Sequence, residues 1–477
     1  MKPELLWKNF KSLCDIPRPS KHEGRALDFI AQYGRDLGLD VLRDPIGNVI
    51  IRKPATPGME NCPGVILQGH ADMVPQKRPE SSHDFLKDPI EMVVDGDWIK
   101  ANNTTLGADN GIGVSAAMSI LADKDVEHGP LEILVTTDEE TGMTGAINLQ
   151  PGLLHGSVLL NLDSEKEGDI YIGCAGGQDI TATFTVEYVE TASEDIAYKV
   201  MISGLRGGHS GMDINIGVAN ANKLLVRFLK FAAANFEAML ADIQGGTLRN
   251  AIPRDAYAIL TIDSEDADEF VEMVAEFNDM LREEYDGVEP DMLLSCEIVK
   301  SPEKVFSEMS TDDVINALQG CPDGVVRMSP SIKGLVQTSS NLASVSTKDD
   351  KVVVNFLIRS ASESEKENLS STIESVMRLA GATVEIDNGY PGWLPNPQSP
   401  ILRIVADTYR NLYNQEPSIM AIHAGLECGI MAGIYPKWDM VSFGPTIEHP
   451  HSPDERVNVP SVERFYELLK EVLKRVK

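Results

Sequence analysis

At 477 residues the chain is longer than one hydrophobic core usually organises, so two domains of unequal kind are expected rather than a single small binding module. Apolar residues at 42% and charged residues at 24% are ordinary globular usage, which excludes a mainly disordered or fibrous chain. The formal net charge of −31 is spread over the whole length and repels polyanions, so no nucleic-acid partner is expected.

The opening segment, MKPELLWKNFKSLCDIPRPSKHEG, reads as an amphipathic helix and a Pro-containing loop, without the apolar stretch of a secretory signal. No later run approaches the ~20 apolar residues that cross a bilayer. A cytoplasmic chain with no membrane partner is therefore expected. Six cysteines (Cys14, Cys62, Cys174, Cys296, Cys321, Cys428) lack any C-x-x-C pairing, which speaks against a disulfide scaffold or a Cys-ligated zinc and for reduced structural thiols.

In the first third, Val65 to Gln68, Leu131 to Thr136 and Ser157 to Asn161 read as buried strands, with a helix from Gly111 to Leu121 between two of them. That alternation predicts an α/β layered sheet. The end of the chain repeats the style, with Ser399 to Tyr413 helical, Met440 to Phe443 a strand and Pro460 to Lys477 a closing amphipathic helix. Residues 1–186 and 393–477 are thus expected to build one domain. Between them, 187–392 changes to alternating strands such as Ala256 to Ile262 and Val352 to Ile358, interleaved with acidic helices such as Ala267 to Glu283, the texture of an inserted α+β domain.

Five segments carry chemistry. In Gln68-Gly69-His70-Ala71-Asp72, at a strand end, His70 and Asp72 project to the same face and can serve one centre. Imidazole is a good zinc ligand, and a neighbouring carboxylate commonly orients its ring. A surface histidine is the plainer reading of that segment alone. Gly107-Ala108-Asp109-Asn110-Gly111 opens a helical run; glycines let backbone crowd a ligand, although Asp109 is equally readable as a helix cap. In Thr137-Asp138-Glu139-Glu140-Thr141-Gly142, adjacent carboxylates at a strand end repel unless a cation or a shared proton stabilises them, or unless they form an exposed acidic turn. Asp163 follows another strand, and His449 and His451 sit in Glu448-His449-Pro450-His451-Ser452-Pro453 after Met440 to Phe443. Several strand ends that each close on a His or a carboxylate describe the carboxyl edge of an open α/β sheet, where sites usually lie.

The motifs QGHADMVPQK, TLGADNGIG, TTDEETGMTGA, NLDSE, GLRGGHSGMDI, HAGLECG and GPTIEHPHSPDERV together resemble the M20 metallopeptidase family, nearest its dipeptidases of the Xaa-His (aminoacyl-histidine) kind, over nearly the whole length. The resemblance implies a zinc-exopeptidase-type α/β catalytic domain, a mixed sheet flanked by helices, with an inserted α+β lid or dimerisation domain. It makes His70 and Asp163 ligands of one metal, Glu140 and His451 ligands of a second, and Asp109 the bridge; His451 is chosen over His449 by its match within PHSPDE. It makes Asp72 the residue that orients His70 and Glu139 the general base. His209, in Arg206-Gly207-Gly208-His209-Ser210-Gly211, resembles the histidine that stabilises the tetrahedral oxyanion. Asn250 and Arg359 resemble lid residues that hold the substrate carboxylate. His423, Gly425 and Glu427 resemble a substrate-facing loop, with Glu427 a partner for the free amine.

The implied cofactors are two divalent ions, Zn2+ with Mn2+ or Co2+ as alternatives, since His and carboxylate ligands accept all three. The implied reaction is hydrolysis of dipeptides, β-alanyl-histidine among them, by a metal-bridged hydroxide. A homodimer is the implied assembly. Competing readings are a broad di- or tripeptidase, an N-acyl-amino-acid deacylase of the same family, and a non-catalytic metal-binding scaffold.

Overall fold

Three of the short apolar runs become strands buried along their whole length, Val65–His70, Leu131–Thr136 and Val158–Asn161. Strands covered on both faces need no polar alternation, which is why these read as continuous apolar segments. The computed structural model describes residues 1–477. It divides into two units: Met1–Cys174, Trp393–Ala421 and Leu426–Lys477 form the first, and Ala175–Gly392 with Ile422–Gly425 form the second.

The first unit is a mixed α/β layer. Its eight-stranded sheet runs Asp40–Arg43, Val49–Lys53, Leu131–Thr136, Val65–His70, Val158–Asn161, Asp439–Ser442, Asp169–Cys174, Ser418–Ile422. From Leu131–Thr136 to Asp439–Ser442 neighbouring strands are parallel, so their carboxyl ends share one edge. The helix Ala108–Ala122 is buried from Ala108 to Leu121, and it carries no charged residue after Asp109, as a helix without a solvent face requires. Asp109 and Asn110 have non-helical angles, so regular helix starts at Gly111.

The helices Pro400–Tyr413 and Val459–Arg475 begin with proline in the first turn, behind the caps Ser399 and Asn458. They bury one stripe each, Val462, Phe465, Leu469 and Val472 in the last. A separate four-stranded sheet pairs Ile447–Glu448, Arg456–Asn458, Trp98–Ala101 and Met92–Asp95 in that order. The hairpin between its first two strands carries residues 449–455.

The second unit is built on a nine-stranded antiparallel sheet, in which Asp195–Ser203 pairs with Ala256–Asp263 and Val336–Lys348 with Lys351–Ser360. Ala221–Phe236, Ala267–Glu284, Glu308–Gly320 and Glu363–Leu379 supply its helical layer. Phe228, Phe270, Phe306 and Phe356 are fully buried at its centre. The strand Gly176–Thr185, which sequence texture grouped with the first domain, pairs with Lys351–Ser360 and Thr383–Tyr390 in this sheet. The texture is uninformative there because Gly176–Thr185 alternates buried and half-buried positions as the neighbouring strands do.

No helix is long and apolar enough to cross a membrane. All six cysteines are free, and burial pushes the Cys14 and Cys321 thiols up to about 12.

Phe228 contacts the rings of Phe270 and Phe277 edge-on, with centroids at 5.9 and 5.3 Å. Phe228→Ala is expected to cost about 3–5 kcal/mol, the loss typical of a large buried aromatic. Urea denaturation followed by circular dichroism checks this, and an unchanged midpoint would show that the core collapses around the change.

Candidate active site

The carboxyl edge of the parallel strands gathers side chains from loops far apart in sequence. His70 ends one strand, Glu139 and Glu140 open a short helix just after Thr136, and Asp163 follows Asn161. Asp109 comes from the start of the buried helix, and His451 from the hairpin after Asp439–Ser442. His451 adopts a left-handed backbone, φ 60°, a conformation that a non-glycine residue keeps only where its surroundings impose it.

Two trios share Asp109. The first has His70 Nε2 at 3.1 Å from Asp109 Oδ1 and 3.3 Å from Asp163 Oδ1. In the second, His451 Nε2 lies 3.1 Å from Asp109 Oδ2 and 3.1 Å from Glu140 Oε2. His70, Asp109 and Glu140 alone already offer ligand atoms within 4.8 Å of one another. Glu140 Oε1 is buried without a hydrogen-bond partner. Ligand atoms about 2.0 Å from a tetrahedral ion lie about 3.3 Å apart, so the His–carboxylate separations in both trios match those of cation ligands. His449 instead lines a cavity of about 500 Å³ with Arg78, Lys100 and Arg456.

The electrostatics follow from crowding. Burial raises the Glu139 carboxyl well above the ordinary range, and Asp163, Glu427 and Glu140 add to it while His70 opposes it. Burial likewise pushes Asp163 up to about 8, and Glu165, beside Asp109 and Asp163, up to about 8. Burial would raise Asp109 too, but the two imidazoles overcome it and hold that carboxyl below its usual range. Hydrogen bonds to Asp109 and Glu140 lift His451 to about 11. His70 is raised well above its ordinary value because Asp163, Asp109 and Asp72 outweigh its burial.

Asp72 ties the cluster together. Its Oδ1 lies 3.3 Å from His70 Nδ1 and accepts the Glu139 N–H at 3.0 Å, while Oδ2 accepts the Glu140 N–H at 3.2 Å and the Ser20 hydroxyl at 2.8 Å. Glu427 is buried; its Oε2 accepts from Gln68 at 2.6 Å and Thr136 at 2.8 Å, and its Oε1 has no partner. Burial pushes Glu427 up to about 7.

The second unit holds the other candidates. Nδ1 of His209 accepts the N–H groups of Gly211 at 3.1 Å and Met212 at 3.0 Å, so its ring proton sits on Nε2. Burial and the Arg359 charge keep that ring neutral by lowering its pKa. Arg359 is buried, donates to the Tyr390 hydroxyl at 3.3 Å, and has an unpartnered Nε. The ring of His423 shares a 2.7 Å hydrogen bond with Ser339 and is lowered to about 3 by burial, with Arg359 adding. Gly425 faces Tyr390, whose ring would stand 3.1 Å from an added Cβ. Asn250 is exposed and offers its backbone C=O to the Ser210 N–H at 2.8 Å.

Sequence reasoning missed the residues that hold the loops. Glu23 accepts the Asp138 N–H at 2.9 Å and the Thr137 hydroxyl. Asn110 donates to the Leu162 C=O at 2.7 Å, and Glu455 and Arg18 grip the Asp109 segment. Glu455 stood within PHSPDE, where the motif was read only for its histidine; nothing local marked the others.

A histidine-carboxylate cluster at the strand ends of an α/β sheet defines a hydrolase of the metallopeptidase kind. The chain belongs to peptidase family M20/M25/M40, whose sequence model matches residues 66–475. It is 45% identical over 476 residues to the cytosol non-specific dipeptidase of Escherichia coli (strain K12), covering 100% of this chain and 98% of that protein. The crystal structure of aminoacylhistidine dipeptidase from Vibrio alginolyticus is similar at 46% identity and TM-score 0.95, covering 99% of this chain and 97% of that one. A tripeptidase from Staphylococcus aureus, 16% identical with TM-score 0.56 over 99% of this chain and 98% of that one, shares the fold.

Two outcomes are expected. His451→Ala is expected to reduce metal content by about one equivalent, as elemental analysis of the dialysed protein would read, while His449→Ala leaves it unchanged; the reverse result would move the ligand to His449. Cation uptake by the stripped chain is expected to release protons, because at neutral pH His451, at about 11, and Asp163, at about 8, are both protonated and must ionise or become neutral donors to bind. Affinity should therefore rise with pH, and calorimetry in buffers of different ionisation enthalpy should give different heats. Identical heats would contradict it.

Proposed function

We propose that the chain is a two-metal dipeptidase whose centre is bridged by Asp109, with His70 and Asp163 on one side and His451 and Glu140 on the other. The observation that carries this reading is the pair of trios sharing Asp109, one through each carboxylate oxygen. Two divalent ions, Zn2+ or else Mn2+ or Co2+, would supply an acidified water and polarise the scissile carbonyl.

The chain's own residues do the rest. Glu139 accepts the proton of the attacking water and delivers it to the departing amine; its raised pKa, which added positive charge would draw down, suits that exchange. Asp72 fixes the His70 ring and the turn that carries Glu139. His209 donates from Nε2 to the oxyanion, a role supported by its fixed tautomer. The buried guanidinium of Arg359, with an Nε to spare, takes the substrate carboxylate beside Asn250, His423 and Gly425. Glu427 Oε1 takes the free amine.

The proposed substrates are Xaa-His dipeptides such as β-alanyl-histidine, supported by the motif resemblance and by the description of the Vibrio alginolyticus structure. The description of the Escherichia coli relative favours a second reading, broad dipeptide specificity, and supports action in the cytosol. Service of the second unit as lid and dimer contact is part of the same reading.

The test is a panel of β-alanyl-histidine, glycyl-histidine, alanyl-alanine, a tripeptide and N-acetyl-histidine, with metal-reconstituted protein. Both histidyl dipeptides are expected to be cleaved, and Glu139→Gln is expected to lower kcat by about 10²–10⁴ while two equivalents of metal remain bound. Equal cleavage of alanyl-alanine selects the broad specificity. Cleavage of N-acetyl-histidine alone makes the chain a deacylase, and no cleavage at all returns the scaffold reading.

A further inference from the structure

The carboxylate of Glu455 is buried at the end of the hairpin that carries His451, and it faces four consecutive backbone N–H groups. Oε2 accepts from Leu106 at 2.7 Å and Gly107 at 3.0 Å, and Oε1 accepts from Ala108 at 2.7 Å and, more weakly, Asp109 at 3.4 Å. On the other side of the same peptide run, Arg18 is equally buried. Its Nη2 donates to the Gly107 C=O, and its Nη1 donates to the C=O groups of Ala71 at 2.9 Å and Asp72 at 3.0 Å. Residue 107 is therefore held by its N–H from one side and by its C=O from the other.

The identity of that residue is dictated by the grip. Gly107 has φ 70°, and an added Cβ would stand 2.6 Å from Arg18 Nη2 and 2.8 Å from the Met73 sulfur. Only glycine lets the guanidinium approach so closely without strain. The three segments so joined are the ones that supply His70, Asp109 and His451. The His451 hairpin reaches the loop through Glu455, and the His70 strand end reaches it through Arg18. A guanidinium fork on the carbonyl side and a carboxylate accepting through both oxygens on the N–H side are a hydrogen-bonding pair suited to fix backbone in a buried place.

We propose that Glu455 and Arg18 form a buried clamp on the Gly107 peptide that positions Asp109 between His70 and His451, so that the cation site is formed before any cation arrives. The clamp rests on the reading of Asp109 as a bridging ligand. Neither residue touches substrate or metal; both are positioning residues, and their effect must appear in cation affinity rather than only in folding.

Glu455→Gln tests it, because the new amide NH2 points a donor at N–H groups that need an acceptor. Calorimetric titration of stripped protein with Zn2+ is expected to show affinity lowered about 10- to 100-fold, the range seen when residues that support metal ligands are changed. Turnover of a dipeptide at limiting Zn2+ should fall in parallel and recover at excess Zn2+, with KM within about threefold of wild type. Glu132→Gln serves as the control. That buried carboxylate accepts the N–H groups of His155 at 2.7 Å and Gly156 at 2.8 Å at the opposite end of its strand, and its loss is expected to lower the Tm without changing Zn2+ affinity.

Wild-type Zn2+ affinity in Glu455→Gln, or a lowered Tm with affinity intact as in the control, overturns the clamp while leaving the two-metal reading in place. Failure of the wild type to bind Zn2+ overturns both. Should Glu455→Gln not fold, Arg18→Lys loosens the same peptide from its carbonyl side while keeping the charge; it is expected to show the same affinity loss, and wild-type affinity there likewise overturns the proposal.

Discussion

Asp109 sits between two imidazoles with Asp163, Glu139, Glu140 and Glu165 close around it. That many carboxyl groups cannot all ionise in one buried place unless positive charge lies among them. The chain meets this constraint in part by itself, since both histidines are driven towards their charged forms and Glu139 and Asp163 towards their neutral ones. Divalent ions meet it more fully, because each brings two charges and takes ligand atoms at the spacing already present. The cluster is thus paid for electrostatically by whatever cation it holds, which is the physical reason to expect binding and proton release to be the same event.

The sheet determines where the constraint can be satisfied. Parallel strands deliver their carboxyl ends to one edge, and loops leaving that edge can converge although they are hundreds of residues apart in sequence. Loops alone do not hold side chains to a few tenths of an ångström. Here the same device recurs: a buried carboxylate accepts backbone N–H groups from a loop carrying functional residues. Asp72 does so for Glu139 and Glu140, Glu23 for Asp138, and Glu455 for the segment before Asp109. Side-chain hydrogen bonds to backbone fix the path of a loop without occupying its side chains, which leaves those side chains for the centre.

The strands and the converging residues were legible because their signals are local. An unbroken apolar run followed by His70, Glu139 or Asp163 says both where a strand ends and what stands there, and the M20-like motifs distinguished one histidine from the next. Arg18, Glu23 and Glu455 were not legible by the same means. Glu455 and its first partner Leu106 are separated by 349 positions, and a glutamate that caps backbone looks in sequence like any surface glutamate. The domain edge near 174 was equally hidden, because Gly176–Thr185 has the half-buried alternation of an antiparallel strand and only pairing partners assign it to a sheet.

The two units differ in the chemistry they keep. In the first, acidic groups dominate, and Glu427 Oε1 is an acceptor still in want of a donor. In the second, burial and the Arg359 charge lower the pKa of both His209 and His423, and the guanidinium keeps an Nε still to donate. On the proposed reading a free ammonium answers the Glu427 acceptor; an N-acyl amino acid lacks one and would leave that acceptor unsatisfied at the cost that any buried polar group incurs. Discrimination built on a missing hydrogen-bond donor is stronger than discrimination built on size alone. The unpartnered Glu427 oxygen therefore argues for a substrate with a free amine, while the identity of its side chains is left to groups that make no such demand.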